Sequence, residues 1–76
     1  EHARINAVLL QLFTWLGKFF ARMEMVLAAK QNDGWIGWNK IAARTLKKRL
    51  LKNVEQGDWV DVANLAFFLW VRKEKE

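Results

Sequence analysis

A repeat of apolar residues near the start of the chain constrains the fold more than any other feature. Its members recur at alternating intervals of four and three residues: Ile5, Leu9, Leu12, Leu16, Phe19, Met23 and Val26. Such spacing places the side chains in one seam along an α-helix. A helix over residues 4–30 would be roughly 40 Å long, which is long for a chain of 76 residues. The repeat therefore predicts a long helix that extends past its partners.

A second helix is predicted over residues 39–55. Gly34 and Gly37 break the chain before it, and Asn39 is a residue type that caps helix N-termini. The predicted core-facing stripe is Ile41, Ala43, Leu46, Leu50 and Val54. The other side carries six positive charges between residues 40 and 52 and no acid.

This positive side predicts contact with a polyanion. The candidate binding residues are Lys40, Arg44, Lys47, Lys48 and Lys52. Like charges at this spacing repel one another, and the formal net charge of the whole chain is +5. Nucleic acid, nucleotide phosphates and an anionic membrane surface are all suitable ligands. A solvated face without a ligand is the alternative.

A third helix is predicted over residues 58–72. Asp58 follows Gly57 and is placed to cap the helix, and Asp61 lies in the first turn, where the helix dipole favours an acid. The rest of the segment is apolar nearly all the way round, which is typical of a buried helix. We expect it to be the central core helix, with Asn64 as an amide that bonds across a dimer and fixes its register.

These elements predict an all-α fold in a single domain over residues 1–76. Apolar residues make up 53% of the chain, more than a monomer of this size easily buries. No cysteine is present to form a disulfide, so oligomerisation is the expected remedy. We expect a homodimer in which two long helices pack antiparallel and the shorter helices complete the bundle. A three-helix monomer is the alternative.

Composition also excludes several kinds of site. Without cysteine the chain has no thiolate zinc site and no thiol redox chemistry, which fits a cytoplasmic protein. With His2 as the single histidine, a histidine-based metal site or catalytic triad is not expected. Gln11, Thr14 and Lys18 interrupt the apolar N-terminal region, which therefore predicts neither a signal peptide nor a membrane span.

Two tryptophans lie between the first and second predicted helices. Trp35 and Trp38 alternate with glycines in the segment Gly34-Trp35-Ile36-Gly37-Trp38. Their rings can stack on a nucleic-acid base beside the positive side of the second helix. Alternatively, they plug the end of the bundle.

Several segments occur in an order that resembles a known family. They are Met23-Glu24 with Leu27, Asn32-Asp33-Gly34-Trp35, a leucine-rich helix, Gly57-Asp58, and Asp61-Val62-Ala63-Asn64-Leu65-Ala66. Over roughly residues 19–70 the chain resembles the MazG-like all-α nucleoside triphosphate pyrophosphohydrolases, notably the short phage-type members. The resemblance implies a dimeric or tetrameric helical bundle. It also implies cleavage between the α- and β-phosphates, with Mg²⁺ held by helix carboxylates.

The resemblance assigns roles to individual residues. Asp61 corresponds to the family's metal-binding Asp, Asp58 stands where a Glu is expected, and Glu55 is the one nearby acid of the preceding helix. Asn64 corresponds to the family's amide and is a candidate nucleotide contact, to which the positive charge and the aromatic residue add Lys48, Lys52 and Trp35. The family's first carboxylate cluster has no counterpart, because lysines and an arginine occupy the corresponding stretch, residues 46–52. Catalysis is therefore left open, and helix capping is the plainer interpretation of the two aspartates.

Three functional hypotheses follow from the sequence. In the first, the chain is a reduced MazG-like protein that binds nucleotide or acts as a weak Mg²⁺-dependent pyrophosphohydrolase. In the second, it is a non-enzymatic oligomeric interaction module. In the third, it is a basic helical dimer that binds nucleic acid.

Overall fold

The computed structural model of the chain describes residues 2–32, 37 and 39–75. Three α-helices account for most of them: α1 (His2–Asn32), α2 (Ala43–Gln56) and α3 (Trp59–Lys75). Within those ranges no residue is in a β-strand, so the fold is all-α as predicted.

α3 lies between the other two helices. It contacts both α1 and α2, whereas α1 and α2 do not contact each other within the described ranges. The buried core side chains are Leu46 of α2 and Leu65 and Phe68 of α3. Four partly buried apolar side chains pack around them: Leu27, Ile41, Leu50 and Leu69. The core is therefore small, and α3 contributes most of it.

α2 begins four residues later than the sequence predicts. The N–H groups of Lys40 and Ile41 both donate to the carbonyl of Gly37, at 3.0 and 3.1 Å, which closes a turn before the helix. Ala42 is the N-cap residue and supplies no side-chain cap. The prediction of Asn39 as the N-cap is thus wrong, because the Gly37 carbonyl holds this segment in a turn. Lys40 accordingly precedes α2.

A long-range hydrogen bond anchors the start of α2. The guanidinium of Arg72, near the end of α3, donates to the carbonyl of Ile41. Ile41 is partly buried and packs against the core. α2 lacks a side-chain N-cap, so this contact from α3 ties down a helix start that local capping leaves weak.

The connection between α2 and α3 follows local backbone rules. Gly57 has φ 72° and ψ 20°, a left-handed conformation that favours glycine. Its N–H donates to the carbonyl of Val54, and the N–H of Asp58 donates to that of Asn53, both at 3.0 Å. These two bonds form a Schellman motif. The N–H of Asp61 then donates to Oδ1 of Asp58 at 3.3 Å, which confirms Asp58 as the cap of α3.

The molecule is more extended than a compact monomer. Its radius of gyration is 15.3 Å, against about 11 Å expected for a domain of this length. Its accessible surface is 6417 Å², against about 4,900 Å² expected for a monomer of this mass. α1 causes much of the difference, because every side chain from residue 6 to residue 18 is exposed.

Candidate functional site

The predicted metal ligands lie where α3 begins, and both aspartates already have partners. Oδ1 of Asp61 is 3.3 Å from Nζ of Lys30, in the last turn of α1. Oδ1 of Asp58 accepts the N–H of Asp61 as the helix cap. Hard divalent cations are held by several converging oxygens. Here one aspartate faces an ammonium group and the other faces a backbone amide, so both are used structurally.

The third predicted ligand does not complete a visible cluster. Glu55 is exposed in the last turn of α2. In the part of the chain that the structure describes, no group of three His, Cys, Asp or Glu side chains is placed to hold a metal ion. A Mg²⁺ ion bound by Asp61 would also have to compete with Lys30 for the carboxylate. The magnesium site implied by the family resemblance therefore stays a prediction.

Asn64 is the one buried polar side chain among the described residues. It is 1% exposed, and its Nδ2 donates to the carbonyl of Met23 in α1 at 3.4 Å. This bond is made within the chain, whereas the sequence interpretation placed it across a dimer. The Oδ1 atom has no hydrogen-bond partner in the described structure. Burial of Asn64 thus costs desolvation free energy, and its one hydrogen bond recovers only part of that cost.

The predicted nucleotide contacts do not converge. Asn64 faces α1 and is buried. Lys48 and Lys52 are exposed on α2, which does not contact α1 in the described ranges. Trp35 lies outside the described residues, as does Trp38. The structure therefore does not bring Asn64 together with Lys48 or Lys52 in one site.

The positive surface of α2 is solvent-facing. The side chains predicted to bind a polyanion, namely Lys40, Arg44, Lys47, Lys48 and Lys52, are all exposed. Arg44, Lys48 and Lys52 repeat every four residues on the side of α2 opposite Leu46, which is fully buried. α2 carries five basic residues and one acid, a net charge of +4, whereas the whole chain has a formal net charge of +5. Most of the charge asymmetry of the protein therefore lies on one short helix.

α3 is central but not buried all round, contrary to the sequence prediction. Trp59 and Trp70 are 59% and 58% exposed, and Phe67 is also exposed. The rings of Phe67 and Trp70 stack on each other, with centroids 6.2 Å apart and planes inclined by 25°. The apolar content of the helix exceeds what two neighbouring helices can cover. The signal for this second apolar face is the spacing Trp59, Ala63, Ala66 and Trp70, which places these residues on one side of the helix.

Among the described residues, many of the exposed large apolar side chains lie along the N-terminal half of α1 and the residues just after it. These side chains are 40–64% exposed: Val8, Leu9, Leu10, Leu12, Phe13, Trp15, Leu16 and Phe20. Lys18 borders this surface, with its Nζ 4.6 Å from the centroid of the Trp15 ring. Three of these exposed residues belong to the apolar repeat, and we call them the N-terminal seam: Leu9, Leu12 and Leu16. Exposed apolar patches of this extent mark interaction surfaces in soluble proteins.

The N-terminal seam continues a surface that is already used for packing. Further along the same repeat, α1 meets α3 through the Met23 carbonyl, and Leu27 packs against the core. Seven residues separate Leu9 from Leu16 and Leu16 from Met23, so all three lie on one side of the helix. α1 therefore has one apolar side, of which α3 covers the C-terminal part.

None of the helices in the described ranges combines the length and apolar character needed to span a bilayer. The structural features of the candidate site are the exposed apolar N-terminal half of α1, the positive surface of α2, and two aspartates that have structural partners. Comparison with protein-family models, curated proteins and solved structures finds no match for this chain.

Proposed function

We propose that this chain is a self-association module that binds a second copy of itself through the N-terminal seam of α1. The observation that carries the proposal is the exposure of Leu9, Leu12 and Leu16 along a helix side whose continuation packs against α3. Water-exposed leucines in a heptad repeat are stabilised when another helix covers them.

The surface area supports a second copy as the occupant. The accessible surface of 6417 Å² exceeds that of a compact monomer by roughly 1,500 Å². A stable protein–protein interface of standard size removes about 800 Å² from each partner. The excess is therefore enough for one such interface on every copy.

The chemistry of the seam also suits self-recognition. No charged residue occurs between Ile5 and Gly17 in the sequence, so this part of α1 does not repel its own copy. A two-fold symmetric interface uses the same patch on both copies, which requires a patch compatible with itself. With only three buried apolar side chains in the described core, a single copy gains further stability from association.

Sedimentation velocity of the wild-type chain and two matched variants tests this proposal. Leu12→Glu places a carboxylate on the N-terminal seam, and Gln11→Glu places one on the neighbouring polar position. We expect a dimer for the wild type and for Gln11→Glu, and a monomer for Leu12→Glu, because a buried unpaired charge opposes association. A monomeric wild-type chain at hundreds of micromolar would overturn the proposal.

A second candidate function is binding of nucleic-acid phosphates by α2. The observation that favours it is the net charge of +4 on α2, carried by side chains that are exposed and form no ion pair within the described structure. A dense cationic helix side attracts a phosphate backbone and releases its counterions. In a dimer, two such surfaces would act together.

Fluorescence anisotropy with a labelled single-stranded DNA tests this second candidate. The double reversal Lys48→Glu with Lys52→Glu should weaken binding by more than about tenfold and reduce the salt dependence by roughly the equivalent of two phosphate contacts. Lys73→Glu with Lys75→Glu makes the same change in net charge on α3 and should have the smaller effect. Equal losses for both pairs would show that only net charge matters, and the α2 assignment would fail.

A further inference from the structure

We infer that the second copy lies antiparallel to the first, with the two-fold axis passing between Leu10 and Gln11. Leu9 of one copy then faces Leu12 of the other. This inference rests on the proposed self-association and specifies its geometry. It follows from where α3 lies on α1 and from the exposure of individual seam residues.

The position of α3 disfavours a parallel pair. The C-terminal half of α1 meets α3 at Met23 and, through an ion pair, at Lys30. In a parallel pair in register, the C-terminal half of the second α1 would run alongside that of the first. It would then overlap the space that α3 occupies. In an antiparallel pair, each C-terminal half points away from the other copy's α3. The contact between α3 and the C-terminal half of α1 therefore favours an antiparallel orientation of the second α1.

The exposure of the seam residues selects the register. A seam with this spacing is symmetric about the midpoint of Leu9 and Leu12, and also about Thr14. The second centre would pair Leu9 with Phe19, which is already half-buried, and would bring the partner towards Met23 and α3. The first centre uses Leu9 and Leu12, which are both exposed. Of these two centres, only the first leaves the contact between α1 and α3 unchanged.

The antiparallel pair covers the apolar side of α1 with two different partners. α3 covers the part that includes Leu27, and the second copy covers the N-terminal seam. The two small cores then lie at opposite ends of the dimer. The outward apolar side of α3, with Trp59 and Trp70, remains outside this interface.

Disulfide cross-linking of single-cysteine variants distinguishes the two polarities, because the chain has no cysteine of its own. In the proposed register, Cα atoms of two copies of Leu16→Cys are offset by roughly 16 Å along the axis. Disulfides require Cα atoms within about 7 Å. Leu16→Cys alone should therefore not cross-link, whereas an equimolar mixture of Leu9→Cys and Leu12→Cys should form a mixed disulfide.

A spin-label experiment gives an independent readout at polar positions that should not disturb folding. Labels on Gln11→Cys should lie with almost no axial offset, whereas labels on Lys18→Cys should be offset by roughly 22 Å. A parallel pair would give similar distances at both positions. Equal distances, or efficient cross-linking of Leu16→Cys, would overturn the antiparallel inference and leave self-association standing. A monomeric wild type in sedimentation would remove both.

Discussion

Nζ of Lys30 lies 3.3 Å from Oδ1 of Asp61 and joins the last turn of α1 to the first turn of α3. Each group also lies at the helix end that suits its charge, since a cation is favoured at a C-terminus and an anion at an N-terminus. The pair is partly exposed, at 36% and 21%. It therefore helps to orient two helices at modest cost in desolvation.

Breaking this ion pair should have a small effect that depends on salt. We expect Asp61→Asn to lower the free energy of unfolding by less than about 1 kcal/mol, because partly exposed ion pairs are screened by solvent. The difference should shrink as salt is added. Urea denaturation at low and high salt measures it, and a double-mutant cycle with Lys30→Met isolates the pair. A coupling energy unchanged by salt would contradict this account.

The magnesium site implied by the MazG-like resemblance can be tested through the same residues. If Asp61 binds Mg²⁺, removal of the competing ammonium in Lys30→Met should increase the rise in Tm that Mg²⁺ causes. Asp61→Asn should abolish that rise, since a ligand stabilises the folded state only when it binds there. Thermal denaturation over a Mg²⁺ titration provides the measurement. An equal Mg²⁺-induced shift in Tm for all three proteins at every Mg²⁺ concentration would rule out a folded-state site at Asp61.

Replacement of the buried amide should stabilise the fold. Asn64 buries an Oδ1 atom for which the described structure offers no donor. Asn64→Leu removes that atom and keeps a similar branched shape, so we expect the free energy of unfolding to rise by about 1 kcal/mol. Asn64→Asp should lower it by more than about 2 kcal/mol, because a charge would be buried beside the Met23 carbonyl. Urea denaturation of both variants checks the signs; a loss of stability in Asn64→Leu would show that the hydrogen bond to the Met23 carbonyl outweighs the cost of the buried oxygen.

Two glycine substitutions should act in opposite directions. Gly57 has φ 72°, so Gly57→Ala should cost about 1 kcal/mol. Gly17 lies inside α1, and a Cβ added there meets no atom within 4 Å. Gly17→Ala should therefore stabilise the helix by up to about 1 kcal/mol. Thermal denaturation compares the two; destabilisation by Gly17→Ala would place a close helix crossing at that position.

Local rules predicted the helices well where neighbours in sequence determine the structure. The cap at Asp58 and the left-handed Gly57 depend on residues within a few positions of each other. The start of α2 was predicted wrongly because a Gly37 carbonyl and a distant Arg72 hold the preceding turn. No local pattern in the sequence encodes a contact between residues 41 and 72.

For the candidate site, too, the sequence predicts what depends on neighbouring residues and not what depends on distant ones. The sequence identified Asp61 and Asn64 as polar residues that need partners, but could not name those partners. Lys30 is remote in sequence from Asp61 and reaches it through the packing of α1 on α3. Apolar periodicity likewise marked the faces of α3 without showing which would be covered, so the exposure of Trp59 and Trp70 was missed.

The central position of α3 has a consequence for the order in which the chain can fold. α1 and α2 precede α3 in the sequence and contact it rather than each other. During synthesis, both therefore emerge from the ribosome before any tertiary partner within the described fold exists. Isolated helices of modest length are marginally stable in water. Within the described fold, the N-terminal seam therefore emerges before α3 does, so the proposed self-association can begin on nascent chains before the core closes.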